Sequence, residues 1–299
     1  MYDIIIIGAG PAGLTAAIYA GQANKKVLVL EKIIAGGQVA NIYEIKNYPG
    51  FLSINGFDLS EKMKEQAKSY GVEIIREEVV SVSLKETTKI VRTHKNEYVA
   101  KNIIIATGAY AKSLDLQNEK QYLGKGLSYC ATCDGNFFKN KVVAVVGGGN
   151  SSMDDCLYLS NVAKKVYLIH RRDEFRANSG LLSNVKALEN IEIITNTIVT
   201  KILGDDILQS IELLNKKTGD YKNLNVDGLF VAIGRKPDTE IFSNEIELTQ
   251  DGFIKTDEQM RTSVKNVYAV GDVRTTSLRQ IVTACADGAI AVNTIIMSN

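Results

Sequence analysis

The stretch Asp3-Ile4-Ile5-Ile6-Ile7-Gly8-Ala9-Gly10-Pro11-Ala12-Gly13 decides the fold. Four consecutive isoleucines make a run apolar on both sides, as a central parallel strand requires. The run ends in a Gly-x-Gly-x-x-Gly turn and enters a helical stretch from about Leu14 to Ala23. A second strand, Val27-Leu28-Val29-Leu30, closes at Glu31. The whole pattern then recurs. Val142-Val143-Ala144-Val145-Val146 enters Gly147-Gly148-Gly149-Asn150-Ser151-Ser152, a helix through about Leu159 follows, and Val166-Tyr167-Leu168-Ile169 ends at His170. The same 23-residue offset separates Gly8 from Glu31 and Gly147 from His170. One glycine turn alone is weak evidence, but two strand–turn–helix–strand copies in equal register predict two Rossmann-like units in an α/β chain.

The chemistry of such a turn is specific. Glycines let backbone N–H groups approach a pyrophosphate at a helix N-terminus, where the helix dipole favours negative charge. Gly8, Gly10, Pro11, Ala12 and Gly13 form the first candidate cradle, and Gly147, Gly149, Asn150 and Ser151 the second. Glu31 stands where a carboxylate accepts a ribose hydroxyl, which suits FAD or NAD. The second unit offers His170-Arg171-Arg172 at the equivalent place, with Arg176 four residues on. A carboxylate there would repel a 2′-phosphate, whereas guanidinium groups grip one, so NADP is expected. Two further apolar strands end in glycine, Asn102 to Gly108 with Thr107 before the last residue, and Gly228 to Gly234. A third, Asn266 to Asp272, closes in Gly271-Asp272 and has no nucleotide turn before it, so it is expected to return to the first domain.

Composition sets the limits. The chain has 299 residues, enough for about two domains. It carries 35 Lys+Arg against 34 Asp+Glu, and shows no basic stripe, which argues against nucleic acid as a partner. Residues 4–23 are uncharged, but five glycines and prolines interrupt them and Asp3 stands where a leader would be basic, so neither membrane nor secretion is expected. Four cysteines are too few for a disulfide framework. Two of them form Cys130-Ala131-Thr132-Cys133-Asp134, and with no second Cys-x-x-Cys a zinc site lacks ligands. A redox pair is the better reading, with electrons passing from NADPH to flavin to disulfide. Asp134 then either protonates the leaving thiolate or is a plain turn residue before Gly135. Cys156 and Cys285 read as small buried hydrophobes.

Taken together, Gly8–Gly13, Gly36-Gly37-Gln38, Asn47-Tyr48-Pro49-Gly50, Cys130–Gly135, Gly147–Ser151, His170–Ala177, Gly271-Asp272-Val273 and Arg279-Gln280 resemble the low-molecular-weight thioredoxin reductases over essentially the whole chain. The resemblance implies two Rossmann-like domains, the NADPH domain (113–242) inserted into a discontinuous FAD domain (1–112 and 243–299). It implies FAD held by the first turn with Glu31, Gly37, Gln38, Asn47, Thr107, Gly108, Gly271, Asp272, Arg279 and Gln280. NADPH would lie on Gly147, Gly149, Asn150, Ser151, His170, Arg171, Arg172 and Arg176. Cys133 would face the flavin, Cys130 would attack thioredoxin, and Asp134 would be the acid. A cytoplasmic homodimer is implied, with an NADPH domain that rotates on connections near residues 112 and 242, and no metal. The first strand starts at Asp3, so thioredoxin is expected as a separate protein. A same-fold reductase with a ferredoxin donor, or with another disulfide protein as partner, is the alternative; the arginine segment argues against the ferredoxin type. Two departures stand out: Ser152, expected to loosen packing after the second turn, and Ala177-Asn178-Ser179, where a charged residue is usual.

Overall fold

The computed structural model describes residues 1–42 and 44–298; Tyr43 and Asn299 lie outside the described residues. The chain forms two compact units, Met1–Tyr110 with Lys236–Asn299, and Ala111–Arg235.

The first unit opens with β1 (Tyr2–Ile7), α1 (Pro11–Gln22), β2 (Val27–Glu31), α2 (Gly56–Ser69) and β3 (Glu73–Arg76). β1 lies between β2 and β6 (Glu97–Ile105), both parallel to it, with Ile5 opposite Leu28 and Ile103. The isoleucine run belongs at the centre because each face of the sheet is covered. Ile4 and Ile6 pack with Leu14, Ala16 and Val292, while Ile5 and Ile7 pack with Leu30, Ile105 and Phe242. Successive strand side chains point to opposite faces, so only an unbroken apolar run serves both cores. Each fully buried isoleucine contributes roughly 1.5–3 kcal/mol. β4 (Val79–Ser83) and β5 (Lys89–Thr93) extend the same sheet antiparallel beyond β6. β7 (Ala109–Ala111) leads out.

The second unit repeats the scheme. β8 (Leu127–Ser128) and the single turn α3 (Ala131–Asp134) precede β9 (Val142–Gly147), α4 (Asn150–Ser160), β10 (Lys165–Ile169), α5 (Ser179–Lys186) and β11 (Ile191–Ile194). An antiparallel ribbon follows, β12 (Thr197–Leu203), β13 (Ser210–Asn215) and β14 (Tyr221–Asn225), and then β15 (Gly228–Ala232). The parallel sheet runs β11-β10-β9-β15-β8. β16 (Arg235–Pro237) pairs with β7. β17 (Val267–Ala269) rejoins the first sheet beside β6, with Val267 opposite Ile103, and α6 (Ile281–Met297) closes the chain. Among the described residues no helix is long and apolar enough to cross a membrane.

Ser152 does not loosen the second unit. Its side chain is fully buried, its hydroxyl donates to the Gly149 carbonyl at 2.7 Å, and a Cβ on Gly147 would sit 2.5 Å from the Ser152 Cβ. The hydroxyl finds its acceptor in the turn itself, so its burial leaves no unsatisfied group.

Candidate active site

In the first unit the glycine turn is shaped by contact on three sides. Gly8 has a φ of +105°, and a Cβ there would meet the Ala106 carbonyl oxygen at 2.4 Å. A Cβ on Gly13 would stand 2.0 Å from the Gly8 oxygen, so only glycine lets α1 begin this close to the strand. Gly10 is different: a Cβ there would meet nothing within 4 Å. Gly10 caps α1 without any side-chain hydrogen bond, and Pro11 stands in the first turn. Open space lies over amides that no side chain among the described residues caps, a cradle of the kind a pyrophosphate fills.

Other candidate residues gather at this turn. The Glu31 carboxylate accepts from the Ala9 N–H at 2.8 Å and the Ile33 N–H at 2.9 Å, which fixes it at the end of β2. Gly37, at φ +55°, brings its chain within 3.4 Å of the Gly10 Cα, measured from where its Cβ would be. The Gln38 amide donates to the Ala109 carbonyl at 2.6 Å, and the Asn47 amide donates to Gln280 Oε1 at 3.0 Å. Gln280 also forms a capping box with Thr283 at the start of α6. Thr107 donates to the Asp238 carbonyl at 2.7 Å, while the Asp238 N–H donates to the Gly108 carbonyl. The Arg279 guanidinium stacks 4.5 Å from the Phe253 ring centroid.

Asp287 holds the Gly271-Asp272 turn in place, a part sequence reading missed. It lies buried in α6 and accepts from the Gly271 N–H at 2.9 Å and from Arg274 Nε at 2.8 Å. The turn is thereby seated on α1, since a Cβ on Gly271 would meet the Ala12 Cβ at 2.9 Å. Gly288, next along α6, leaves room for the α1 backbone at Ala12. The available signal was an acidic residue beside a glycine in an otherwise apolar helix, which suits a buried ion pair better than a solvated face.

In the second unit Gly149 has the same open space that Gly10 has, again at an α4 N-terminus without a side-chain cap. The segment after β10 folds back over the turn. The Arg176 N–H donates to the Gly148 carbonyl at 2.8 Å, and the Asn178 N–H donates to Asn150 Oδ1 at 2.8 Å. Asn178 also caps α5 through Gly180, which explains how the segment manages without a charged residue there. His170 is buried: its ring stacks on Phe175 at 4.5 Å, and a Cβ on Gly148 would strike it at 2.1 Å. It packs the turn from beneath. The Arg171, Arg172 and Arg176 side chains are exposed, as is Ser151 beside them. Asp173, one of two acids among the arginines, is engaged by Lys217 and Asn196.

The cysteine pair lies in the same unit. Cys130 and Cys133 form a disulfide with Cα atoms 5.3 Å apart, Cys133 exposed and Cys130 half-buried at the N-cap of α3. Asp134 is half-buried, and burial pushes its carboxyl above the usual range, against the pull of a Ser128 hydrogen bond. Next to the pair, buried Glu119 accepts from the Tyr129 hydroxyl at 2.6 Å and from the Leu114 N–H at 2.9 Å. Ser128, Glu119 and Tyr129 carry no motif; only their place beside the cysteines marks them. Of the other thiols, Cys156 is fully buried on α4, and Cys285 is half-buried 3.8 Å from the Tyr48 hydroxyl.

A family model for pyridine nucleotide-disulphide oxidoreductases matches residues 2–288. The thioredoxin reductase of Bacillus subtilis (strain 168) is 42% identical over 296 residues, 99% of this chain and 94% of the relative. The chain belongs to the thioredoxin reductases of this family. The crystal structure of thioredoxin reductase from Streptococcus pyogenes MGAS5005 matches with a TM-score of 0.93 at 41% identity, covering 99% of this chain and 97% of that one. Thioredoxin reductase from Giardia duodenalis matches with a TM-score of 0.94 at 36% identity, over 99% and 98%. For a disulphide oxidoreductase the disulfide itself is the reactive group, and the Cys130–Cys133 pair supplies it.

Proposed function

We propose that this chain is an NADPH-dependent thioredoxin-disulfide reductase of the cytoplasm, with FAD on the first unit and NADPH on the second. The observation that carries the reading is the Cys130–Cys133 disulfide beside a half-buried carboxyl, in a chain with two open glycine cradles. When bound, FAD and NADPH supply the electron pair. The net reaction is NADPH plus a proton plus oxidised thioredoxin, giving NADP⁺ and thioredoxin dithiol.

The residues divide the remaining work. Amides around Gly10 and the Glu31 carboxylate would hold the pyrophosphate and ribose of FAD, and Gln38, Asn47, Asp272, Arg279 and Gln280 would complete its site. Gly149 and Asn150 receive the NADPH pyrophosphate. Arg171, Arg172 and Arg176 read its 2′-phosphate, with Asn150 tethering the arginine segment through the Asn178 amide. Cys130 attacks the thioredoxin disulfide, and Cys133 closes the pair again by displacing reduced thioredoxin. Asp134 keeps its proton to a higher pH than an exposed aspartate and delivers it to the departing sulfur.

A homodimer is part of the proposal. α6 turns Val282, Ile290 and Met297 outward at 42%, 39% and 77% exposure, and Tyr19 of α1 adds 48%. A stripe of this kind on a soluble chain suits a self-complementary interface.

The test is anaerobic turnover of the purified yellow protein with thioredoxin, NADPH and NADH in parallel. Fast thioredoxin-dependent oxidation of NADPH is expected, with NADH much slower. A flavin that NADPH fails to reduce, but ferredoxin reduces, would overturn the donor assignment. A reduced flavin that leaves thioredoxin oxidised would overturn the partner.

A further inference from the structure

Ser128 closes β8 at 3% exposure, and its hydroxyl sits among three groups. It donates to Asp134 Oδ2 at 2.6 Å, accepts from the Cys130 N–H at 3.0 Å, and lies 3.3 Å from the Cys130 carbonyl oxygen. A serine hydroxyl has one hydrogen and two lone pairs. Here two acceptors compete for the one hydrogen, and the distances decide between them. An ionised Asp134 takes the hydrogen, because its Oδ2 at 2.6 Å lies nearer than the carbonyl at 3.3 Å and a carboxylate is the stronger acceptor. A protonated Asp134 reverses the bond: its O–H donates to Ser128 Oγ, and the serine hydrogen turns to the Cys130 carbonyl. In both arrangements one lone pair still holds the Cys130 amide, and every polar atom has a partner.

We propose that Ser128 is a positioning residue for the proton that opens the disulfide, clamping Asp134 to the Cys130 backbone and turning its hydrogen as Asp134 changes state. This rests on the reading of Asp134 as the acid. As the electron pair supplied by NADPH enters the Cys130–Cys133 bond, the S–S bond breaks. One sulfur is left as thiolate, the other takes the proton from Asp134 Oδ2, and Asp134 becomes a carboxylate. The Ser128 hydrogen then swings from the Cys130 carbonyl to Oδ2, which holds the new charge in place until solvent returns a proton.

The surroundings leave the hydroxyl in control. α4, packed against α3, carries Asp154, Asp155, Cys156 and Tyr158 as titratable groups, and the short turn Gly135–Phe138 carries none. On the β8 side Tyr129 is engaged by Glu119. None of these acts on Asp134 as a charge: burial raises its proton affinity and the Ser128 hydrogen bond lowers it.

The experiment is the pH profile of kcat for the flavin-loaded enzyme at saturating NADPH and thioredoxin, in wild type, Ser128→Ala, Asp134→Asn and the double variant. An acid must be protonated to act, so the rate falls as pH rises through the proton affinity of Asp134. Removing the hydroxyl removes the influence that holds that affinity down. Ser128→Ala should therefore move the alkaline limb up by about one pH unit, the shift expected for one hydrogen bond to a charge, and lower the plateau about tenfold. Asp134→Asn should abolish the limb, and adding Ser128→Ala to it should cost less than about twofold. The infrared carboxyl band lost in Asp134→Asn reads the same proton directly, and should titrate higher in Ser128→Ala than in wild type or Ser128→Thr. An unmoved limb and band, or a full tenfold loss in the Asp134→Asn background, would show Ser128 to be merely structural. A limb that survives Asp134→Asn would instead remove the acid assignment, and this proposal with it.

Discussion

Gly10 and Gly13 stand three residues apart in one turn, yet alanine at each should fail in opposite ways. At Gly13 the new Cβ would lie 2.0 Å from the Gly8 carbonyl oxygen and 3.2 Å from the Ala106 Cβ. An easy carbon–oxygen contact is about 3.3 Å, so α1 must retreat by about 1 Å from backbone that cannot rotate aside. Such overpacking costs about 3 kcal/mol, which for a unit of this size lowers the melting temperature of the apoprotein by about 6–12 °C. At Gly10 the backbone is ordinary, φ −72° and ψ 179°, and the Cβ would meet nothing. The poorer cap and the smaller unfolded-state entropy nearly offset, leaving stability within about 0.5 kcal/mol. The methyl group, however, would occupy the pyrophosphate space and displace at least one charge-assisted amide bond, weakening FAD by about 30-fold or more. Thermal unfolding of the two apoproteins, followed by FAD titration monitored through flavin fluorescence, separates the effects. A Gly10→Ala protein that binds FAD as wild type does, or that melts as low as Gly13→Ala, would refute the reasoning.

Three further outcomes follow from the structure. Arg171→Ala combined with Arg172→Ala should raise KM for NADPH at least tenfold and leave KM for NADH within about twofold, since only the former carries the 2′-phosphate; equal losses in parallel kinetics would remove the arginines from that role. Asp287→Ala leaves Arg274 nearly buried and unpaired, so chemical denaturation should show about 3 kcal/mol lost together with weakened flavin, whereas Lys236→Ala, which breaks an exposed pair with Glu240, should change stability by less than about 0.5 kcal/mol. Asp155, pushed up to about 7 by burial and by Asp154, holds a proton that the unfolded chain releases near pH 4. Its contribution is complete below that lower value and is lost as pH rises through about 7, so Asp155→Asn should raise the melting temperature by a few degrees at about pH 8 and by less at about pH 5.

What the sequence shows and what it hides have a common physical origin. The isoleucine run and its valine counterpart are legible because a strand buried on both faces permits almost no other composition, and β1 and β9 fall within one residue of where the runs place them. The first helix begins at Pro11 rather than about Leu14, because Gly10 caps it and proline fits the first turn, where no backbone N–H is needed. The glycine positions are legible for the same reason of enforced proximity. The antiparallel strands β4, β5 and β12–β14 are not, since half-exposed strands tolerate charged and polar residues and resemble loops in a single sequence. Pairings between distant positions are equally hidden. Arg274 with Asp287 unites two elements, Glu119 with Tyr129 spans a loop, and Ser128 reaches Asp134 across the cysteine motif, none with a spacing that announces it. The site is thus legible where backbone geometry dictates the residue, and illegible where one side chain supports another.

The central claim is that electrons leave this protein through the Cys130–Cys133 pair. The most direct measurement counts thiols by alkylation and mass spectrometry, without oxygen, after one equivalent of NADPH beyond that needed for the flavin and again after oxidised thioredoxin is added. Two new alkylated sites, Cys130 and Cys133, are expected, and they should disappear as two thiols appear on thioredoxin, while Cys133→Ser transfers none catalytically. Thioredoxin reduced while the pair stays oxidised, or reduced at full rate by Cys133→Ser, would contradict it.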